Sequence, residues 1–326
     1  MKIQITKLVK YWRFILVALL LTGGIEVALA SPQGNGGGAL QFFLEVYFAC
    51  VAMGTTAIIA GTGGGVLFTT LFLGFTNIHP DVIRATGLLA AMSGTRMGAR
   101  RFLKKGIANV RLVLVVGVTY TVFAIIGAIV GLKITRELGE YGIALIKLLL
   151  GLIVVAVGVV YLITKKTDYP EPKKIDSFTR KLGVEYPYWE DSLGSVVDYR
   201  VTRAPLAILA FCAVGFVSGM FGLGAGWAVT PVLNLVMLAP LKVATTTSAV
   251  IISLGDTAAI FPYLMANAIV PIFAVPAVAG LITGAEIGSR IAVRVRPSVV
   301  RYILIGILFF TGSKLVLTGL TLMGVI

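Results

Sequence analysis

Gly61-Thr62-Gly63-Gly64-Gly65 interrupts an apolar stretch of this 326-residue chain, and Gly222-Leu223-Gly224-Ala225-Gly226 interrupts another in its second half. Glycine this dense breaks a helix, because it carries the largest backbone entropy cost and offers no side chain to pack. In hydrocarbon a broken backbone must be buried in protein or line a polar cavity. Two such breaks at corresponding places in two halves point to the binding site of a secondary transporter.

The surrounding composition fits that reading. The chain is 58% hydrophobic and 13% charged. Apolar runs fall at 39–60, 66–73, 82–99, 108–132 and 141–164, then at 204–221, 227–238, 244–266, 269–290 and 299–322. The longer ones match the roughly 20 residues needed to cross about 30 Å of hydrocarbon. The sequence therefore predicts an all-α polytopic protein of the inner (cytoplasmic) membrane. Residues 1–30 carry Lys2, Lys7, Lys10 and Arg13 before an apolar run ending in Ala28-Leu29-Ala30. A cleaved signal peptide and a first transmembrane helix both fit them.

The halves align in order. Gly61–Gly65 matches Gly222–Gly226, Ala85-Thr86 matches Ala244-Thr245, Gly127–Gly131 matches Gly284–Gly288, and Gly151 matches Gly306. A first transmembrane repeat is thus expected over 39–164 and a second over 204–322, joined by a cytoplasmic linker at 165–203. Charge sets the orientation. If 66–73 and 227–238 are re-entrant arms, then Arg100, Arg101, Lys104, Lys105, Arg290, Arg294 and Arg296 all fall in the cytoplasm, as the positive-inside pattern requires. The two repeats are then inverted. The net charge of +14 is explained by these short loops and anionic lipid, and nucleic acid is not an expected partner.

The ordered motifs carry a family resemblance. Gly61–Gly65, Ala85-Thr86-Gly87 and Lys105-Gly106 stand in the first half. Gly215-Phe216-Val217-Ser218-Gly219-Met220-Phe221-Gly222 running into Gly226, Thr230-Pro231 and Ala244-Thr245-Thr246-Thr247-Ser248 stand in the second. Over about 39–322 the chain resembles the sulfite exporter TauE/SafE family of membrane permeases. The resemblance implies secondary transport of a small sulfur-containing or organic anion such as sulfite, sulfoacetate or thiosulfate. One departure is Thr70, which stands where the second half has Pro231.

An anion near the membrane midplane needs compensation, and helix N-termini supply about half a positive charge with free N–H donors. The expected binding residues are Gly61, Thr62, Gly63, Gly64, Gly65, Gly222, Gly224 and Gly226, with hydroxyls from Thr86, Ser93, Thr245 and Thr246. Pure helix–helix packing is the competing reading of the glycines. Ionisable residues within spans are functional suspects. Arg96 and Asp256 occupy nearly equivalent positions and are expected to face one cavity, with Arg96 on the anion and Asp256 a coupling candidate. Glu286 is a second coupling candidate, with Arg290 one turn away. His79 lies in a polar turn, while Lys147 and Lys314 are expected to snorkel.

Cys50 and Cys212 form no metal or disulfide pattern. No cofactor, metal or catalytic set is expected, and Gly61–Thr70 lacks a P-loop lysine, so the chain is not read as an enzyme. An anion-selective channel shares the same helix-end chemistry and is the alternative. The expected partners are a small anion and membrane lipid, and the sequence leaves a homo-oligomer open.

Overall fold

Eleven described helices and one small hairpin account for the architecture of the computed structural model. The structure describes residues 38–60, 64–104, 106–163, 175–184, 187–190, 195–292 and 297–325. The expected leader at 1–30, the linker start and Lys105, Arg294 and Arg296 lie outside these residues.

In the first half, α1 (Ala39–Ala60) is followed by the short α2 (Gly64–Phe75) and by α3 (Pro80–Lys104). Then come α4 (Val110–Glu137), which includes a π-helical turn over Val113–Gly117, and α5 (Gly139–Ile163). The linker holds α6 (Ser177–Leu182) and the antiparallel strands β1 (Tyr188–Glu190) and β2 (Ser195–Val197). The second half repeats the order: α7 (Ala204–Phe221), short α8 (Gly226–Val236) ending in a π-helical turn over Val232–Val236, α9 (Leu241–Met265), α10 (Pro271–Ala292) and α11 (Pro297–Leu322).

Among the described residues, seven helices are long and apolar enough to cross a membrane: those within α1, α4, α5, α7, α9, α10 and α11. α2 has 12 residues, about 18 Å at 1.5 Å each, too short to cross. α3 has the length, 25 residues, but carries Arg84, Arg96, Arg100, Arg101 and Lys104. It extends beyond the expected 82–99 at both ends, because Asp81 sits in its first turn and the basic residues continue its last.

The principal helix contacts cross the halves. α1 packs on α10, α4 on α7, α3 on α9, and α5 on α11. Exchanging the halves carries the first pair into the second and each of the others into itself. Small residues make these contacts close, as expected where lipid removes the hydrophobic drive between helices. A Cβ at Gly288 would stand 2.7 Å from the Thr55 carbonyl oxygen, and Gly284 and Gly280 meet Val51 and Tyr47 one and two turns earlier. α1 and α10 therefore run parallel. Gly215 and Gly219 meet Tyr120 and Ala124 in the same way, so α4 and α7 also run parallel.

Two apolar cores result. One joins α3, α4, α7, α8, α9 and the linker; the other joins α1, α2, α5, α10 and α11. Trp227, the second residue of α8, packs against both.

Candidate functional site

The second glycine break lies where the cores meet. α7 ends at Gly222, whose φ of +66° is left-handed, and Gly224 repeats that conformation at φ +63° before α8 starts. The helix ends in this left-handed form because only glycine adopts it without a Cβ penalty. The space is also closed to a side chain. A Cβ at Gly222 would stand 2.5 Å from Arg84 Cα, and one at Gly224 would collide with Ala91. Thr69 on α2 donates to the Gly222 carbonyl at 2.8 Å, and Gly87 on α3 is pressed against that same oxygen.

The start of α2 reaches the same place. Gly61, Thr62 and Gly63 lie outside the described residues. Gly64 opens α2, and Gly65 is buried directly against the Leu223 carbonyl. The N-terminus of α2 thus abuts the second break.

Four buried polar atoms around this contact have no hydrogen-bond partner among the described residues: Arg84 Nε, Thr86 Oγ1, Trp227 Nε1 and Asp256 Oδ2. Native interiors satisfy nearly all such groups, so four on the elements enclosing one break require a cause. Three are donors. The fourth is a carboxylate oxygen, 3.2 Å from where a Gly224 Cβ would stand.

Asp256 on α9 is fully buried. Its Oδ1 accepts from the Tyr120 hydroxyl of α4, which also lies 2.9 Å from Ser218 Oγ of α7. Gly255 makes this approach possible, since a Cβ there would strike the Tyr120 ring. Arg96, in contrast, is exposed, and among the described residues it forms no ion pair with Asp256. The two stand on helices that pack together, α3 and α9, and differ in burial, with Asp256 enclosed and Arg96 exposed.

The remaining expected residues are distributed as follows. Thr86 is fully buried at the break. Ser93 is half-buried and donates to Ala90 at 3.0 Å. Thr245 is exposed and turned back on the Leu241 carbonyl, while Thr246 is buried and bonds to Lys242. The repeat thus places Thr86 and Thr245 in unlike surroundings. Gly226 opens α8. Glu286 is exposed on α10. The Lys314 ammonium lies 3.7 Å from the centroid of the Phe75 ring. Among the described residues no cluster of His, Cys, Asp and Glu could hold a metal ion.

The strongest charge cluster escaped the sequence. Arg84 on α3 is fully buried and pairs with Asp81 one turn earlier. It donates to the Met220 carbonyl at 2.9 Å and to Thr135 at 3.1 Å, and faces the Tyr263 ring at 5.7 Å. Thr135 also donates to Asp81 at 2.8 Å. Arg84 therefore fastens α3 and α4 to the last turn of α7, immediately before the second break. The i,i+3 spacing of Asp81 and Arg84 was the available clue.

The opposite end of the bundle is held by the linker. Asn109 caps α4, accepting from Leu112 N at 3.1 Å, while its amide donates to Val184 at 2.7 Å and to the Tyr199 hydroxyl at 2.6 Å. Asp176 caps α6 and gathers Thr179, Thr202 and the Arg203 amide. Burial opposes its ionisation, but those donors outweigh it and hold the carboxyl at about 2. Burial raises the Tyr199 hydroxyl to about 12, partly offset by its bond from Asn109.

A multi-pass helical protein with a glycine-broken, donor-lined centre falls in the class of membrane transporters. Residues 46–315 match the family described as Sulfite exporter TauE/SafE, and the chain belongs to that family. It is similar to the "Probable membrane transporter protein YunE" of Bacillus subtilis (strain 168), with 22% identity over 294 residues, 86% of this chain and 99% of that protein. No solved structure matches it.

Proposed function

We propose that the chain is a secondary transporter that moves a small sulfur-containing or organic anion by alternating access, with the anion held where the two glycine breaks meet. The observation that carries this reading is the pair of buried donors left without a partner among the described residues, Thr86 Oγ1 on α3 and Trp227 Nε1 on α8, the two helices that flank the Gly222–Gly226 break. Donors without acceptors in a buried site suit a ligand made of oxygen acceptors. The backbone of Gly64 and Gly65 at the N-terminus of α2 adds further donors and a favourable dipole.

Helix directions support two inverted repeats. Arg136 at the end of α4 donates to the Ala266 carbonyl just after α9, so α4 runs toward that end and α10 leaves it. α7 is parallel to α4 and α1 is parallel to α10, so the first helices of the halves run oppositely. The Thr202 amide bonds to the Met237 carbonyl at 3.0 Å, which brings the end of α8 back to where α7 starts. That return supports a re-entrant α7–α8 pair. Rocking one repeat against the other then exposes the central site alternately.

The test is uptake by proteoliposomes of labelled sulfite, thiosulfate and methanesulfonate. Saturable uptake of one of them, lost in Gly224→Leu with the variant still monodisperse, is expected. Flux that never saturates identifies a channel, and normal flux in Gly224→Leu removes the anion from the break.

A further inference from the structure

We infer that Asp256 Oδ2 is a proton-binding site, and that one proton travels with the anion in the same direction. This rests on the transporter reading above and adds the coupling ion and its carrier. The first observation is geometric. Asp256 is fully buried, one of its oxygens is engaged by Tyr120, and the other faces Gly224 and has no hydrogen-bond partner among the described residues. An ionised carboxylate with a free oxygen in such a place is costly, and a proton on that oxygen removes the charge.

The second observation is what surrounds it. Thr86 Oγ1 and Trp227 Nε1, on the helices that flank the same break, are donors without a partner among the described residues and suit an anion. A carboxylate charge beside them repels that anion, whereas a neutral carboxyl group does not and offers an O–H donor in addition. Anion and proton therefore favour each other's binding, and by linkage each raises the affinity for the other equally. The anion alone meets the Asp256 charge, and the proton alone leaves the donors empty.

A proton fits better than a metal cation. Among the described residues no carbonyl or hydroxyl oxygen other than those of Tyr120 and Ser218 is bonded at Asp256, whereas a hard cation gathers several oxygens. Nor, among the described residues, does another charge answer Asp256. The titratable group facing it from α4 is Tyr120. From α3 the neighbouring residue at Gly224 is Ala91, and from α7 it is Ser218. Arg84 on α3 is committed to Asp81, and Arg96 is exposed.

The experiment uses the full chain in proteoliposomes with labelled thiosulfate and methanesulfonate, whose charges do not change across the pH series. An entrapped pH dye follows proton movement. The expected result is saturable anion uptake accelerated by an inward proton gradient, accompanied by proton entry. On the alkaline side of its midpoint the rate should fall about tenfold per pH unit, as for one required proton. Asp256→Asn should remove both the pH dependence and the proton entry from whatever exchange remains. If Asp256→Asn does not exchange at all, Tyr120→Phe decides. Loss of the hydroxyl donor makes the carboxylate less favourable, so the midpoint must move to higher pH, and an unmoved midpoint overturns the assignment. Saturable uptake indifferent to the proton gradient, or driven by sodium in its place, overturns this inference alone. No saturable uptake of any anion tells against the transporter reading itself.

Discussion

The two ends of the helix bundle are closed by different chemistry. At one, Arg84, Asp81 and Thr135 form a buried charged knot that ties α3, α4 and the last turn of α7 together. At the other, the ties run to neutral partners: Asp176 to Thr179, Thr202 and the Arg203 amide, and Arg111 to the Gly183 carbonyl. Asn109 binds Val184 and Tyr199, its backbone amide binds Thr247 at 3.0 Å, and the linker supplies the partners. In a low dielectric a charged knot is all-or-none, because half of it is worse than none. Neutral hydrogen bonds can be lost one at a time for about 1 kcal/mol each. The charged end therefore behaves as a rigid clamp on the second break, and the linker end as a graded tether.

The largest predicted effect breaks the clamp. Arg84→Ala takes the closest cation from the buried Asp81, leaving it Thr135 and the more distant Arg136 at 4.0 Å and His79 at 3.9 Å, and should cost about 3 kcal/mol, seen as a large drop in the thermal midpoint in detergent. The double variant Arg84→Met with Asp81→Leu should recover much of that loss. If the double variant is as damaged as the single one, the pair is not the clamp.

The next effect separates the two breaks. Gly222→Ala forces a side chain into the left-handed region, at about 1–2 kcal/mol, and drives a Cβ into the Arg84 backbone. Gly64→Ala meets only the flexible tip of Leu281 at 3.0 Å. Anion uptake should fall at least about tenfold more in the first than in the second, since 1.4 kcal/mol corresponds to a factor of ten. Equal uptake by both variants contradicts the tight packing of the second break.

The graded end predicts smaller numbers. Asn109→Ala removes a helix cap and two amide bonds, for about 1–2 kcal/mol. A thermal midpoint as low as that of Arg84→Ala erases the distinction between clamp and tether.

The smallest effect is one of pH. Asp176 is held at about 2, below its ordinary 3.8, so its contribution to linker stability is complete above 3.8 and is lost as pH falls toward 2. Hydrogen exchange of 176–183 should accelerate over that interval, and Asp176→Asn should abolish the acceleration. An unchanged profile in Asp176→Asn assigns the acid sensitivity elsewhere.

Much of this molecule is legible along the chain, for local reasons. Runs such as 141–164 and 299–322 announce spans by length and apolarity, and Gly222–Gly226 announces a break, because each property belongs to a few adjacent residues. Asp256 is conspicuous as a carboxylate in an apolar run. Arg84 is not, since its importance comes from Met220 and Thr135, respectively 136 and 51 residues away. Trp227 likewise reads as an ordinary interfacial aromatic until both cores are seen to close on it. Arg96 and Asp256 stand at nearly equivalent positions of the two aligned halves, yet one is exposed and the other enclosed, because burial depends on which face of a helix a neighbour covers.

The sequence by itself determined the helices, their breaks and the family, because backbone propensity, hydropathy and glycine density act over one or two turns. Only the tertiary structure decided which polar atoms, among the described residues, are left without partners. Satisfaction of a buried group depends on residues brought from other helices, and in this chain the contacts that matter cross from one half to the other.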